Sequence, residues 1–101
     1  MNAIRDLALE LLVFYRSENL STIREIVGRR AKGDAEAHIA NICAAMALAD
    51  DYPMHLENEL VLEDLVRAIM QQESGRRVYS KRAIAEGVRM ARSGPLGIPY
   101  G

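Results

Sequence analysis

Apolar residues recur every three to four positions through most of this chain, in stretches closed by Gly, Ser, Thr or Asp, and no stretch offers a convincing strand. That periodicity specifies amphipathic helices. The sequence therefore predicts an all-α fold, a compact bundle of four to five short helices over residues 1–93, with an extended apolar C-terminal tail over 94–101. A length of 101 residues supports one hydrophobic core and leaves no second unit to form a cleft between domains. An enzyme is disfavoured on that ground.

Ile4, Leu7, Ala8, Leu11, Phe14 and Tyr15 set out a first helix from about Asn2 to Ser17. Leu9 and Val13 fall outside its stripe, about 140° and 180° from Ile4 at 100° per residue. A helix apolar on two sides is either sandwiched within its own domain or offers the second side to a partner subunit. Thr22 and Glu25 have the spacing of a capping box, which starts a second helix running to Lys32 and stopping at Gly33, a residue suited to the left-handed position after a helix end. Arg29, Arg30 and Lys32 then sit favourably at the negative end of the helix dipole.

Asp34 can cap a third helix over Ala35 to Ala49. Seven of those fifteen residues are alanine, and the run from Ile39 to Ala49 is interrupted only by Asn41. Such a segment reads as the central helix of the bundle, with Ile39, Ile42, Cys43, Met46 and Leu48 filling the gaps; it is far short of the roughly 20 residues that span a bilayer. Asp50 and Asp51 at its end have the wrong sign for the dipole there. Tyr52, Pro53 and Met54 make a turn, and residues 55–60 are ambiguous between loop and helix. Leu62, Leu65, Val66 and Ile69 give a fourth helix to about Glu73. Ser80 caps a fifth that carries Ile84, Val88 and Ala91 inward and stops at Gly94 and Pro95. In the tail, Leu96, Ile98 and Tyr100 alternate as on one face of an extended segment, which can dock on its own core, dock on a partner, or stay free.

Charge along the chain is sorted. Between Asp34 and Leu65 there are eight acidic residues and no Lys or Arg, while the basic residues flank that block on both sides; the net charge of −1 conceals this. Opposed blocks point to charged macromolecular partners. The reading is a non-catalytic protein-interaction module, an adaptor, regulator or inhibitor that forms a homodimer. Its expected partner-binding residues are Leu9, Val13, Asp50, Asp51, Glu57, Glu59, Leu96, Ile98 and Tyr100. The acidic centre of one copy would face the basic end of another, or the acidic block would mimic nucleic acid. The alternative is a DNA- or RNA-binding regulator with Arg76, Arg77, Lys81, Arg82 and Arg89 on phosphates. The helix-turn-helix template fits poorly, because the helix in the recognition position carries Asp34 and Glu36 and no base-reading Arg.

Catalytic and cofactor chemistry finds little footing. Gln72-Glu73-Ser74-Gly75 resembles the Glu-Ser pair of lytic transglycosylases, in which a carboxylic acid protonates the glycosidic oxygen. The likeness ends with those residues: no Gly-Leu-Met-Gln type of motif follows, and the chain lacks the length for a sugar-binding groove. No metal or other cofactor is expected, since His38 and Cys43 lie five apart and about 140° around a helix, where an i, i+4 pair would share an ion. A single cysteine precludes an internal disulfide and suits a reducing compartment, and the charged N-terminal residues do not resemble a signal peptide. The expected location is the cytoplasm.

Overall fold

The structure, a computed structural model, describes residues 3–74 and 79–93. They form five helices: α1 Ala3–Ser17, α2 Ile23–Arg30, α3 Ala35–Met46, α4 Glu59–Ser74 and α5 Lys81–Arg92. No strand occurs among the described residues. The tail, 94–101, lies outside them.

Each helix begins and ends for a local reason. α1 buries Ile4, Leu7, Ala8, Leu11, Leu12 and Phe14. It stops where Asn19 adopts φ 59° and the Leu20 N–H donates to the Phe14 carbonyl at 3.1 Å, a left-handed position that asparagine tolerates. The capping box of α2 forms as expected. Thr22 Oγ1 accepts from the Glu25 N–H at 3.1 Å, and Glu25 Oε1 accepts from the N–H groups of Ser21 (3.0 Å) and Thr22 (3.3 Å). Those two backbone donors hold the Glu25 carboxyl below the ordinary glutamate range. Asp34 accepts from the Ala37 N–H at 3.2 Å and Ser80 from the Ala83 N–H at 3.0 Å, again as expected. At the head of α4, Asn58 Oδ1 accepts from the N–H groups of Leu60 (2.9 Å) and Val61 (3.4 Å), which resolves the ambiguous stretch as loop up to Asn58.

Two helix ends differ from expectation. α2 stops at Arg30, where Ala31 turns the chain out in an extended conformation (φ −68°, ψ 142°) and donates to the Val27 carbonyl; Gly33 is not needed in a left-handed role. α3 stops at Met46, three residues before Ala49. Ala47 takes the left-handed conformation (φ 56°, ψ 43°) and donates to the Cys43 carbonyl, and Leu48 donates to the same oxygen at 3.2 Å.

The larger correction concerns which helix is central. Among the described residues α3 packs chiefly on α2 and α4, while α4 touches α1, α3 and α5. Within α3 only Ile39 and Ile42 are buried, whereas Leu62, Leu65 and Val66 of α4 are completely so. Burial free energy follows apolar area, at roughly 25 cal/mol per Å². The leucine-rich stripes of α1 and α4 have more area to remove from water than a stripe of methyl groups, so they take the interior. α1 packs most extensively on α5, and Gly87 of α5 lets the two come close. No polar or charged side chain is buried among the described residues.

Candidate interaction surface

The flanking basic residues meet the acidic centre within one chain. Arg24 in α2 reaches Glu36 in α3 (Nη1–Oε2, 2.7 Å) and Asp50 beyond α3 (Nε–Oδ2, 2.6 Å), and its backbone N–H donates to the Asp50 carbonyl at 3.0 Å. Arg16 forks onto Glu57 at 2.6 and 2.8 Å. Arg92 at the end of α5 donates to the Glu57 carbonyl at 2.6 Å and lies 3.6 Å from its carboxylate. Arg30 bridges Glu10 (2.9 Å) and Glu73 (2.6 Å), and Arg29 pairs with Glu18 at 3.2 Å while standing 5.2 Å over the Phe14 ring. The hydrogen-bonded guanidiniums of Arg24 and Arg16 hold the Glu36 and Glu57 carboxyls below the ordinary range. Apart from the half-buried Arg30, these pairs face solvent, where screening keeps each contribution small. They tie together helices that the apolar core has already brought side by side.

The sequence-selected residues are accordingly scattered in role. Asp50 and Glu57 are engaged in intrachain ties, and Asp50 stands beside Arg24 where the sign at a helix end looked wrong. Asp51 and Glu59 have no ion-pair partner among the described residues. Leu9 packs, half-buried, against its own core, while Val13 is 52% exposed; the second apolar side of α1 is thus split between interior and solvent. On α5, Arg82 lies 3.6 Å from Glu86, an i, i+4 neighbour, and Lys81 and Arg89 carry no ion pair among the described residues. Arg76, Arg77, Leu96, Ile98 and Tyr100 lie outside the described residues.

What sequence reasoning missed is the outer face of α3. Ala37, Ala40, Asn41, Ala44 and Ala45 are exposed along it. Beside Ala45, a groove of about 290 Å³ runs between α3 and α4, bounded by Met46, Asp64, Arg67, Ala68 and Gln71. Further large apolar side chains stand exposed at Tyr52 and at Leu60, the latter by 69%. A second cleft, of about 300 Å³, opens where the end of α2 meets α3 and α4. Burial pushes the Cys43 thiol up, with Asp50 adding to the effect, so its reactive thiolate form is disfavoured. No group of three metal-ligating side chains occurs among the described residues, and no helix there is long and apolar enough to cross a membrane. No protein-family model, curated protein or solved structure matches the chain.

Proposed function

We propose that this protein is a non-catalytic helical interaction module that self-associates through the outer face of α3. One observation carries the reading: α3, having lost the interior to leucine-richer helices, buries only Ile39 and Ile42 and leaves four alanines in water along one face. A second copy laid along that face would complete the burial, and small side chains let two helix axes approach closely. Twelve residues span about 18 Å, which is short for a standard interface of about 800 Å² per partner. Neighbouring groups such as Tyr52 and the groove beside Ala45 must contribute, and the expected affinity is micromolar.

Because Glu36, Asp50 and Glu57 are already paired within the chain and the exposed face of α3 is mostly alanine, association should be apolar in origin and respond little to salt. Sedimentation equilibrium at high micromolar concentration should show a dimer at both low and high salt. An Ala40→Glu/Ala44→Glu variant should be monomeric with unchanged helical circular dichroism, while Val13→Lys should still dimerise. A monomeric unaltered protein overturns the proposal, and a monomeric Val13→Lys variant moves the interface to α1.

A second reading rests on α5, whose outward Lys81 and Arg89 have no ion-pair partner among the described residues. Placed against phosphates, they would give binding dominated by counterion release. Fluorescence anisotropy of a labelled duplex should then fall steeply between about 50 and about 200 mM salt and weaken in an Arg76→Ala/Arg77→Ala variant. No binding at low salt removes this reading.

A further inference from the structure

The cleft at the end of α2 combines an apolar floor with side-chain donors on Arg30, Lys32 and His38, some of which no described residue uses. Val27, Ile42 and Ile69 form the floor, and each is a core residue with its outer edge turned to the cleft. Arg30 stands at the rim with its side chain only 20% exposed. Its Nε donates to Glu10 and its Nη1 to Glu73, two carboxylates from helices other than its own. These hold the guanidinium in one place and leave Nη2 without a partner among the described residues. Lys32 and His38 line the same cleft, and neither has an ion pair or a hydrogen bond through its side chain there. Glu73, the rim carboxylate, is already committed to Arg30.

We propose that this cleft binds a small organic carboxylate carrying a compact apolar body, such as a single ring or a short branched chain. The donors decide the sign of the ligand. An ammonium would face Arg30 and Lys32 with only a carboxylate already neutralised to receive it, whereas a carboxylate meets a cleft lined by a fixed guanidinium, an ammonium and an imidazole. The floor adds a smaller preference: Val27, Ile42 and Ile69 are 5%, 2% and 3% exposed, so only their edges remain to be covered, which phosphate or sulfate alone would not do, and a pure hydrocarbon would leave the donors unused. A volume of about 300 Å³ sits at the lower limit for small-molecule sites, which restricts the apolar part to roughly one ring.

The test is a titration of the full-length, nitrogen-15-labelled protein with sodium benzoate, followed by amide chemical shifts, with benzyl alcohol and benzylamine run in parallel. Benzoate should give saturable shifts centred on Ala31, Lys32, His38, Ile42 and Ile69, with millimolar affinity, and the two other probes should give much smaller ones. Lys32→Met removes an exposed charge without touching the core, and His38→Phe keeps a ring in place. Each should weaken benzoate binding about fivefold to tenfold, as expected for loss of one hydrogen bond to a charged group at a partly wet site. Shifts that never saturate, that centre elsewhere, or that are matched by benzyl alcohol or benzylamine overturn the proposal. So does a Lys32→Met variant that binds benzoate as tightly as the unaltered protein.

Discussion

Gly87→Ala lowers the stability of the fold by about 1–3 kcal/mol, the usual cost of forcing a methyl group into a filled space. At an exposed helical site the same change would help by about 1 kcal/mol, since alanine is the better helix former. Here a Cβ on residue 87 would stand 2.4 Å from Ile4 Cγ2, 2.8 Å from Ile4 Cβ and 3.2 Å from the Arg5 nitrogen. A rotamer change can move Cγ2 but not Cβ or the backbone nitrogen, so α1 and α5 must separate. Thermal unfolding should therefore fall by roughly 4–8 °C per kcal/mol for a domain of this size. In an Ile4→Ala background the worst contact is gone, and the penalty of Gly87→Ala should shrink by more than about 0.5 kcal/mol, beyond the scatter of independent sites. A variant that melts higher than the unaltered protein would show that the two helices do not pack at Gly87.

Leu65→Ala should cost still more, in the upper part of the range of about 2–5 kcal/mol for leucine truncation in a core. Leu65 is fully buried, as are its neighbours Leu62 and Val66. α4 is held by α1, α3 and α5, so no single helix can settle inward to fill the void. Against a total stability of about 5–15 kcal/mol for a domain, this change should bring the denaturation midpoint close to working conditions. Leu60→Ala on the same helix provides the contrast: with Leu60 69% exposed, its effect on stability should stay within about 0.5 kcal/mol. Urea unfolding of both variants measures the difference. Equal losses at the two positions would mean that α4 is not central.

The helices and the starts of α2, α3 and α5 were legible because they depend on residues close in sequence, whereas the Asn58 cap of α4 was not legible within the ambiguous stretch 55–60. Thr22 with Glu25, Asp34, and Ser80 each satisfy backbone donors within three positions, so spacing alone identifies them. Helix ends were less so: nothing local announces that Ala47 would accept a left-handed conformation, or that Ala31 would leave the helix before Gly33. The charge blocks were visible, but their partners were not. Arg24 with Glu36, Arg16 with Glu57 and Arg30 with Glu73 are 12, 41 and 43 residues apart, and only the packing of the helices brings them together. Opposite charges gathered in separate blocks suit intrachain pairing as well as they suit a partner. The placement of α3 failed for a different reason. Counting alanine as apolar gave that helix an apolar circumference, while the competition for the interior is decided by area, in which a methyl group counts for little beside a leucine. The cleft rim could not be read at all, since Arg30, Lys32 and His38 come to line one cleft with Ile69 and Glu73 only after α2, α3 and α4 have packed.

The pairing of α1 with α5 has a consequence for the newborn chain. Ribosomes add about 5–20 residues per second, so the leucine and isoleucine stripe of α1 emerges seconds before the helix that covers it most. Through that interval α2, α3 and α4 can assemble against one side of α1, but the side that packs on α5 stays uncovered until Ile84, Val88 and Ala91 are made. α5 thus completes a cover that α1 lacks until then, and the nascent chain passes through a stage in which a sticky helix is open to chaperones or to a neighbour on the same message.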